Sequence, residues 1–217
     1  MSIRRYPFVV VEGLDGAGKT TVRKGLFRIW SDLFGVTPLC VLTTNFVAVE
    51  HIQTLVDGKY RPTPDNREEY LAALGADKAA TLHRLVAPSV AVRPVIADRW
   101  LLSEIAFFAV KHGADAVEVH DRLGKMIGSA PDVTLVLSVS PQDSVERVGR
   151  RSGDSARVDW DVLEIQDRVR SVYDAVIAKP DDFPYCGDVV AIDAARKPAE
   201  VLHDAWRALA ERGVMPC

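Results

Sequence analysis

One short run constrains this chain more than anything else in it: Gly13-Leu14-Asp15-Gly16-Ala17-Gly18-Lys19-Thr20, a G-x4-G-K-T pattern. It follows an apolar run at 8–12 and precedes a stretch of helical periodicity at 19–34. Between a strand and a helix, this pattern becomes a phosphate loop. The glycines let the backbone curl so that successive N–H groups point inward, and the helix N-terminus adds its partial positive charge. Lys19 then reaches the β- and γ-oxygens of a nucleoside triphosphate, and the Thr20 hydroxyl can ligate Mg²⁺. The predicted nucleotide-binding residues are Gly13, Asp15, Gly16, Ala17, Gly18, Lys19, Thr20 and Thr21. Asp15 is electrostatically awkward there. It should face another ligand or a basic side chain rather than the triphosphate.

Apolar runs at 8–12, 38–43, 95–97, 133–139 and 189–192 are short and rich in Val, Ile or Leu, as strands covered on both faces should be. Helical stretches at 19–34, 66–86, 103–112, 114–127, 141–150, 160–177 and 198–212 separate them, with Pro141 and Pro198 at first-turn positions. The alternation predicts an α/β fold: a P-loop NTPase three-layer sandwich, with an about five-stranded parallel sheet and helices on both faces. No repeat or low-complexity segment interrupts it, so residues 1–217 are expected to form a single kinase-type domain.

A formal net charge of −3 gives no global attraction to nucleic acid or anionic membrane. The basic N-terminus leads into an apolar run too short for a signal peptide, and no stretch is long enough to span a bilayer. The expectation is a cytoplasmic protein with neither nucleic acid nor membrane as partner. Cys40, Cys186 and Cys217 are far apart and form no CxxC pair, which argues against a disulfide framework or a zinc site.

The run ending Asp98-Arg99 is a strand closing on an acid and a base. Ligands gather at the carboxyl ends of parallel strands, so Asp98 should lie near the phosphate loop and serve the metal with Thr20. Arg99 can clamp an anionic oxygen with its fork of donors. A regulatory GTPase would carry a DxxG switch here, but position 101 is leucine, and no NKxD motif occurs. Arg147, Arg150, Arg151 and Arg157 surround Ser152-Gly153-Asp154-Ser155, which suggests a mobile lid at about 144–158. Phosphoryl transfer needs positive charge over the migrating group and exclusion of water, and such a lid supplies both.

These residues together resemble the thymidylate kinase family of nucleoside monophosphate kinases. The resemblance runs from about residue 8 to 206. Its blocks are Phe8-Val9-Val10-Val11-Glu12 with the phosphate loop, Asp98-Arg99-Trp100, Pro131-Asp132-Val133-Thr134-Leu135, Arg168-Val169-Arg170-Ser171-Val172-Tyr173, and Ile192-Asp193-Ala194 with Glu200-Val201. It implies ATP and Mg²⁺ as donor and metal, a small phosphorylated acceptor, and a homodimer formed through helices. It implies that Asp15 contacts the acceptor and that Arg99 holds phosphate between donor and acceptor. It also places the catalytic arginine in the lid when Gly16 and Ala17 occupy the loop, so Lys19, Arg99, Arg147, Arg150 and Arg151 are the catalytic candidates.

The departures fall on the acceptor side. The family's Arg-Glu-Pro is here Thr43-Thr44-Asn45, and its Phe-Ala-Ala-Asp-Arg is Leu74-Gly75-Ala76-Asp77-Lys78. Its Ala-Tyr-Gln is Ala106-Phe107-Phe108. Leu74 cannot stack as a ring does, and Lys78 lacks the planar fork. Asp15, Thr44, Leu74, Lys78, Arg99, Phe107 and Phe108 are the acceptor-site candidates, and they imply an altered acceptor. A genuine dTMP kinase, a kinase of a free hydroxyl with Glu12 as base, and a non-catalytic nucleotide-binding protein are the alternatives.

Overall fold

The apolar runs of the sequence become β1 (Phe8–Gly13), β2 (Leu39–Leu42), β3 (Val95–Asp98), β4 (Val133–Ser138) and β5 (Asp188–Asp193) in the computed structural model. It describes residues 6–43, 46–152, 160 and 162–215, with backbone alone at 151 and 152. The strands form one parallel sheet in the order β2-β3-β1-β4-β5. Every residue of β1 is buried, because β1 is central, with Val11 beside Asp98 on one side and Leu135 on the other. That environment explains an uninterrupted Phe-Val-Val-Val run, where a half-exposed strand would alternate. β5, at an edge, mixes exposed and covered positions.

Helices pack around this sheet, completing the α/β fold of a P-loop NTPase. They are α1 (Lys19–Arg28), α2 (Ile52–Tyr60), α3 (Arg67–Thr81), α4 (Ala87–Ser89), α5 (Leu101–His112), α6 (Ala116–Ile127), α7 (Pro141–Ser152), α8 (Leu163–Ala178) and α9 (Pro198–Glu211). π-helical stretches extend α1 (Ile29–Leu33) and join α3 to α4 (Leu82–Val86). α6 starts later than its pattern suggests, because the Asp115 carboxylate accepts the Glu118 N–H at 2.8 Å and caps the helix there.

α2 is absent from the sequence-based expectation, and its composition explains why. Gly58 sits inside it, and an interior glycine disfavours a helix by about 1 kcal/mol relative to alanine. The β-branched Thr54 and Val56 weaken the pattern further. Packing overrides both effects. A Cβ at Gly58 would stand 2.1 Å from the Tyr70 ring, so the glycine lets α2 press against α3 while Leu55 fills the interface.

From β1 the chain passes through α1 to β2 at one edge, returns through β3, then crosses β1 to reach β4 and β5. The direction of travel therefore reverses at β1, where open α/β sheets form a crevice at the strands' carboxyl ends. The segments after β1, β3 and β4 meet there.

Candidate active site

The phosphate loop leaves β1 with positive φ at Gly13 (139°), Gly16 (80°) and Gly18 (97°), values that side chains rarely tolerate. At Gly16 a Cβ would lie 2.8 Å from the Ser144 carbonyl oxygen and 3.1 Å from the Arg147 Cβ. Glycine thus admits α7 against the loop. The Ser144 hydroxyl then donates to the Asp15 carbonyl at 2.5 Å and lies 3.4 Å from Gln166 of α8. Gln166 in turn donates to the Trp160 carbonyl at 2.9 Å, so α7 and α8 both brace the loop.

Lys19 is buried beneath the loop. Its ammonium donates to the carbonyls of Gly13 (3.0 Å) and Leu14 (2.7 Å) and stands 3.7 Å from the Asp15 carboxylate. Burial, reinforced by the Arg99 charge, lowers its pKa to about 7 against the opposing pull of Asp15, Asp98 and Glu12. Lys19 is thus partly neutral above that pH in the ligand-free protein, whereas a bound triphosphate favours its charged form. Binding a polyanion should therefore take up a proton when the pH lies above about 7, and affinity should fall as pH rises. Calorimetry in buffers of different ionisation enthalpy should register uptake approaching one proton at about pH 8 and little at about pH 6. A dissociation constant flat across that range would remove this assignment.

Arg99 follows β3 directly and is the one non-glycine residue with positive φ (69°) among the described residues. Its N–H donates to the Val11 carbonyl at 3.0 Å. Its guanidinium pairs with the Asp15 carboxylate and donates to the Gly13 carbonyl (3.1 Å), Ser103 Oγ (2.8 Å) and Tyr173 Oη (3.4 Å). Burial works against this cation, but Asp15, Tyr173 and Glu12 outweigh it and hold its pKa above the ordinary value. The basic partner that Asp15 requires is therefore Arg99. Behind it lies fully buried Glu12, which accepts from the N–H groups of Trp100 (2.7 Å) and Ser103 (3.1 Å) and from Ser103 Oγ.

Among the described residues, two cavities flank the loop. One, of about 380 Å³, is lined by Asp15, Gly16, Gly18, Lys19, Thr20, Thr21, Asp98, Arg99 and Arg147. The other, of about 370 Å³, is lined by Gly16, Ala17, Gly18, Thr21, Val22, Arg147, Ala194, Arg196, Pro198 and Val201. The first is charged and suits a phosphate chain, and the second is walled largely by small apolar groups and suits a flat ring. Thr20 and Asp98 share the first cavity. A hydroxyl and a single carboxylate beside a phosphate site fit Mg²⁺, which keeps waters and substrate oxygens in its remaining positions. Asp98 is meanwhile 3.4 Å from the Arg23 Nε. Glu12 lines neither cavity, so the base that a free-hydroxyl kinase would need is held behind Arg99 instead.

The predicted lid arginines separate. Arg147 lines both cavities and donates to the Ala194 carbonyl at 3.1 Å. Arg150 is 74% exposed and pairs with Glu146 one turn back on α7. Arg151 lies within α7, but its side chain falls outside the described residues, as do residues 153–158 of the lid predicted at about 144–158, whose earlier part is α7 itself.

The acceptor candidates separate as well. Thr44 is outside the described residues. Leu74 and Phe108 are core side chains, with Phe108 stacked between Tyr70 (5.3 Å) and His112 (5.2 Å). Lys78 is buried, its ammonium 2.9 Å from the Glu104 carboxylate and 5.1 Å from the Trp100 ring centre. Phe107 is half-buried, 5.9 Å from Trp160. None of the four lines either cavity. Ser103, Glu104 and Ser144 carry no motif of their own. The signal for Ser103 was its place one helical turn after Arg99.

Comparison with known proteins agrees with this geometry. The family model for thymidylate kinase matches residues 11–205. The chain is similar to the thymidylate kinase of Shouchella clausii, 29% identical over 204 residues with 91% of each chain covered. It is similar to that of Blochmanniella pennsylvanica, 28% identical over 209 residues, covering 93% of this chain and 94% of the other. The enzyme of Bacillus velezensis is 27% identical over 208 residues, covering 94% and 95%.

Proposed function

This chain belongs to the thymidylate kinase family and is an ATP-dependent nucleoside monophosphate kinase, and on that premise we propose that its preferred acceptor is a nucleoside monophosphate, or a similar small phosphorylated or phosphonylated molecule, other than dTMP. The observation that carries this reading is the pairing of Lys78 with Glu104 at 2.9 Å. Where the family resemblance expects an arginine to bond a base oxygen, this chain has a buried ammonium already neutralised by its own carboxylate. Leu74, where a stacking ring is expected, belongs to the core. A site that lacks the donors for a polar group discriminates poorly in its favour.

The donor half is unaffected by these changes. ATP would lay its phosphates on the loop N–H groups, with Thr20 and Asp98 holding Mg²⁺ and Lys19, Arg99 and Arg147 placing positive charge around the transferring group. Bound Mg²⁺ would neutralise charge on the donor phosphates. Asp15 would face the acceptor while orienting Arg99. The attacking phosphate oxygen is already ionised, so no general base is needed. The whole arrangement would belong to one kinase domain, with α7 already holding Ser144 and Arg147 against the loop.

An acceptor screen with ATP tests the reading. dTMP should show kcat/KM roughly a hundredfold below the best acceptor among nucleoside monophosphates and small phosphonates. Preferential use of dTMP would leave a dTMP kinase, the reading that the relatives' own names favour.

The same reading includes a cytoplasmic homodimer. Val49, Ile52, Val56 and Tyr60 form an exposed apolar stripe at helical spacing along the start and face of α2, the kind of surface that another chain covers. Light scattering should report two chains for the natural protein and one for Ile52→Glu. A monomeric natural protein would end the proposal.

A further inference from the structure

Arg99 must hold a left-handed backbone conformation at a position where side chains rarely adopt one, and its side chain is aimed by neighbours from three elements. Ser103 Oγ accepts from the guanidinium at 2.8 Å. Ser103 is itself fixed by Glu12, whose carboxylate takes both its hydroxyl and its N–H, the latter at 3.1 Å. The same carboxylate takes the Trp100 N–H at 2.7 Å. From α8, the Tyr173 hydroxyl lies 3.2 Å from Ser103 Oγ and 3.4 Å from Arg99. Burial raises the Tyr173 pKa, so the phenol stays neutral.

We infer that Glu12, acting through Ser103, is a positioning residue for Arg99 and thereby for the acceptor side of phosphoryl transfer. Three facts point beyond ordinary helix capping. Trp100 is the N-cap residue of α5 and Ser103 lies in its first turn, where the N-cap side chain would ordinarily supply the cap, yet the cap comes from the central strand. Glu12 uses both carboxylate oxygens on the residues immediately following Arg99. The hydroxyl it orients is the one that touches the guanidinium. A buried carboxylate facing a partly buried guanidinium across one hydroxyl fixes where the positive charge sits. Transfer rates depend steeply on that position.

The inference rests on the role proposed for Arg99, and the experiment separates the two. Ser103→Ala should lower kcat about tenfold, the loss of one hydrogen bond to a charged group, while the dissociation constant for ATP stays within about twofold. Ser103→Thr should recover most of that loss. Glu12→Gln, which keeps the shape but removes the charge, should lower kcat at least as much. In an Arg99→Ala background neither Ser103→Ala nor Glu12→Gln should lower kcat further, since coupled residues give non-additive effects. The same fold loss in both backgrounds would overturn the inference and reduce Glu12 to a structural cap, as would an unchanged kcat in Ser103→Ala. If Glu12→Gln does not fold, Ser103→Ala and its double variant decide the matter alone. A near-normal kcat for Arg99→Ala by itself would remove the role of Arg99, and the inference with it.

Discussion

Replacing Lys19 by alanine is expected to lower kcat by at least about a thousandfold without unfolding the protein. In the ligand-free state the ammonium is held by the Gly13 and Leu14 carbonyls. Both groups belong to the loop that lines the charged cavity, so water can replace the lysine there. The loss of packing is confined to the methylene stem of Lys19, and the strand that carries the loop keeps its pairing on both sides. What disappears is the cation of the phosphate loop itself, placed to follow the β- and γ-oxygens as charge shifts between them. A preorganised cation in a water-poor site contributes chiefly in the transition state. A coupled ADP-release assay beside circular dichroism reads both halves. Turnover within tenfold of normal would remove Lys19 from the chemistry.

Arg99→Ala should cost roughly 10²–10³ in kcat, in the range seen when a transition-state donor is deleted. Like loss of the Lys19 charge, it should weaken ATP binding, but through the anion it leaves behind. Without the guanidinium, the Asp15 carboxylate remains beside the incoming phosphates, less fully offset by Lys19, 3.7 Å away. Nucleotide binding should weaken through like-charge repulsion. Adding Asp15→Asn should restore binding but not turnover, because the amide removes the repulsion and supplies no cation. Direct binding and steady-state kinetics on the three variants distinguish these terms. Restored turnover in the double variant would show that Arg99 serves only to neutralise Asp15.

The donor half of the site was legible in the sequence because its geometry is local. A strand, three glycines, a lysine and a helix follow one another between β1 and α1, and their order alone dictates where the N–H groups point. Arg99 was legible for a similar reason, standing at the end of a strand. Its conformation was not, since a left-handed arginine is held by Glu12 and Ser103 from segments far apart in sequence. Lys78 shows the other limit. In the sequence it reads as an acceptor-site donor, until its partner on α5, Glu104, is placed beside it. Leu74 and Phe108 could be set against a family pattern by position, but whether each faces a cavity or the core depends on helix rotation. Arg150 illustrates the same rotation: three residues from Arg147 on α7, it points to solvent. α2 escaped because its glycine serves a neighbour's ring rather than its own helix.

The contact between Asp15 and Arg99 has a consequence for how the loop receives an anion. A cavity walled by Lys19, Arg99 and Arg147 would ordinarily attract any small anion in the cell. Here the chain carries its own counter-ion within the loop, so a visiting phosphate meets a partly neutralised surface. Entry is then an exchange of partners rather than the filling of a vacant socket. A lone orthophosphate brings little to that exchange, whereas a nucleoside triphosphate would span more of the loop N–H groups and place its base in the recess beside Ala194. Selectivity against the commonest anions is thus built into one residue of the phosphate loop itself.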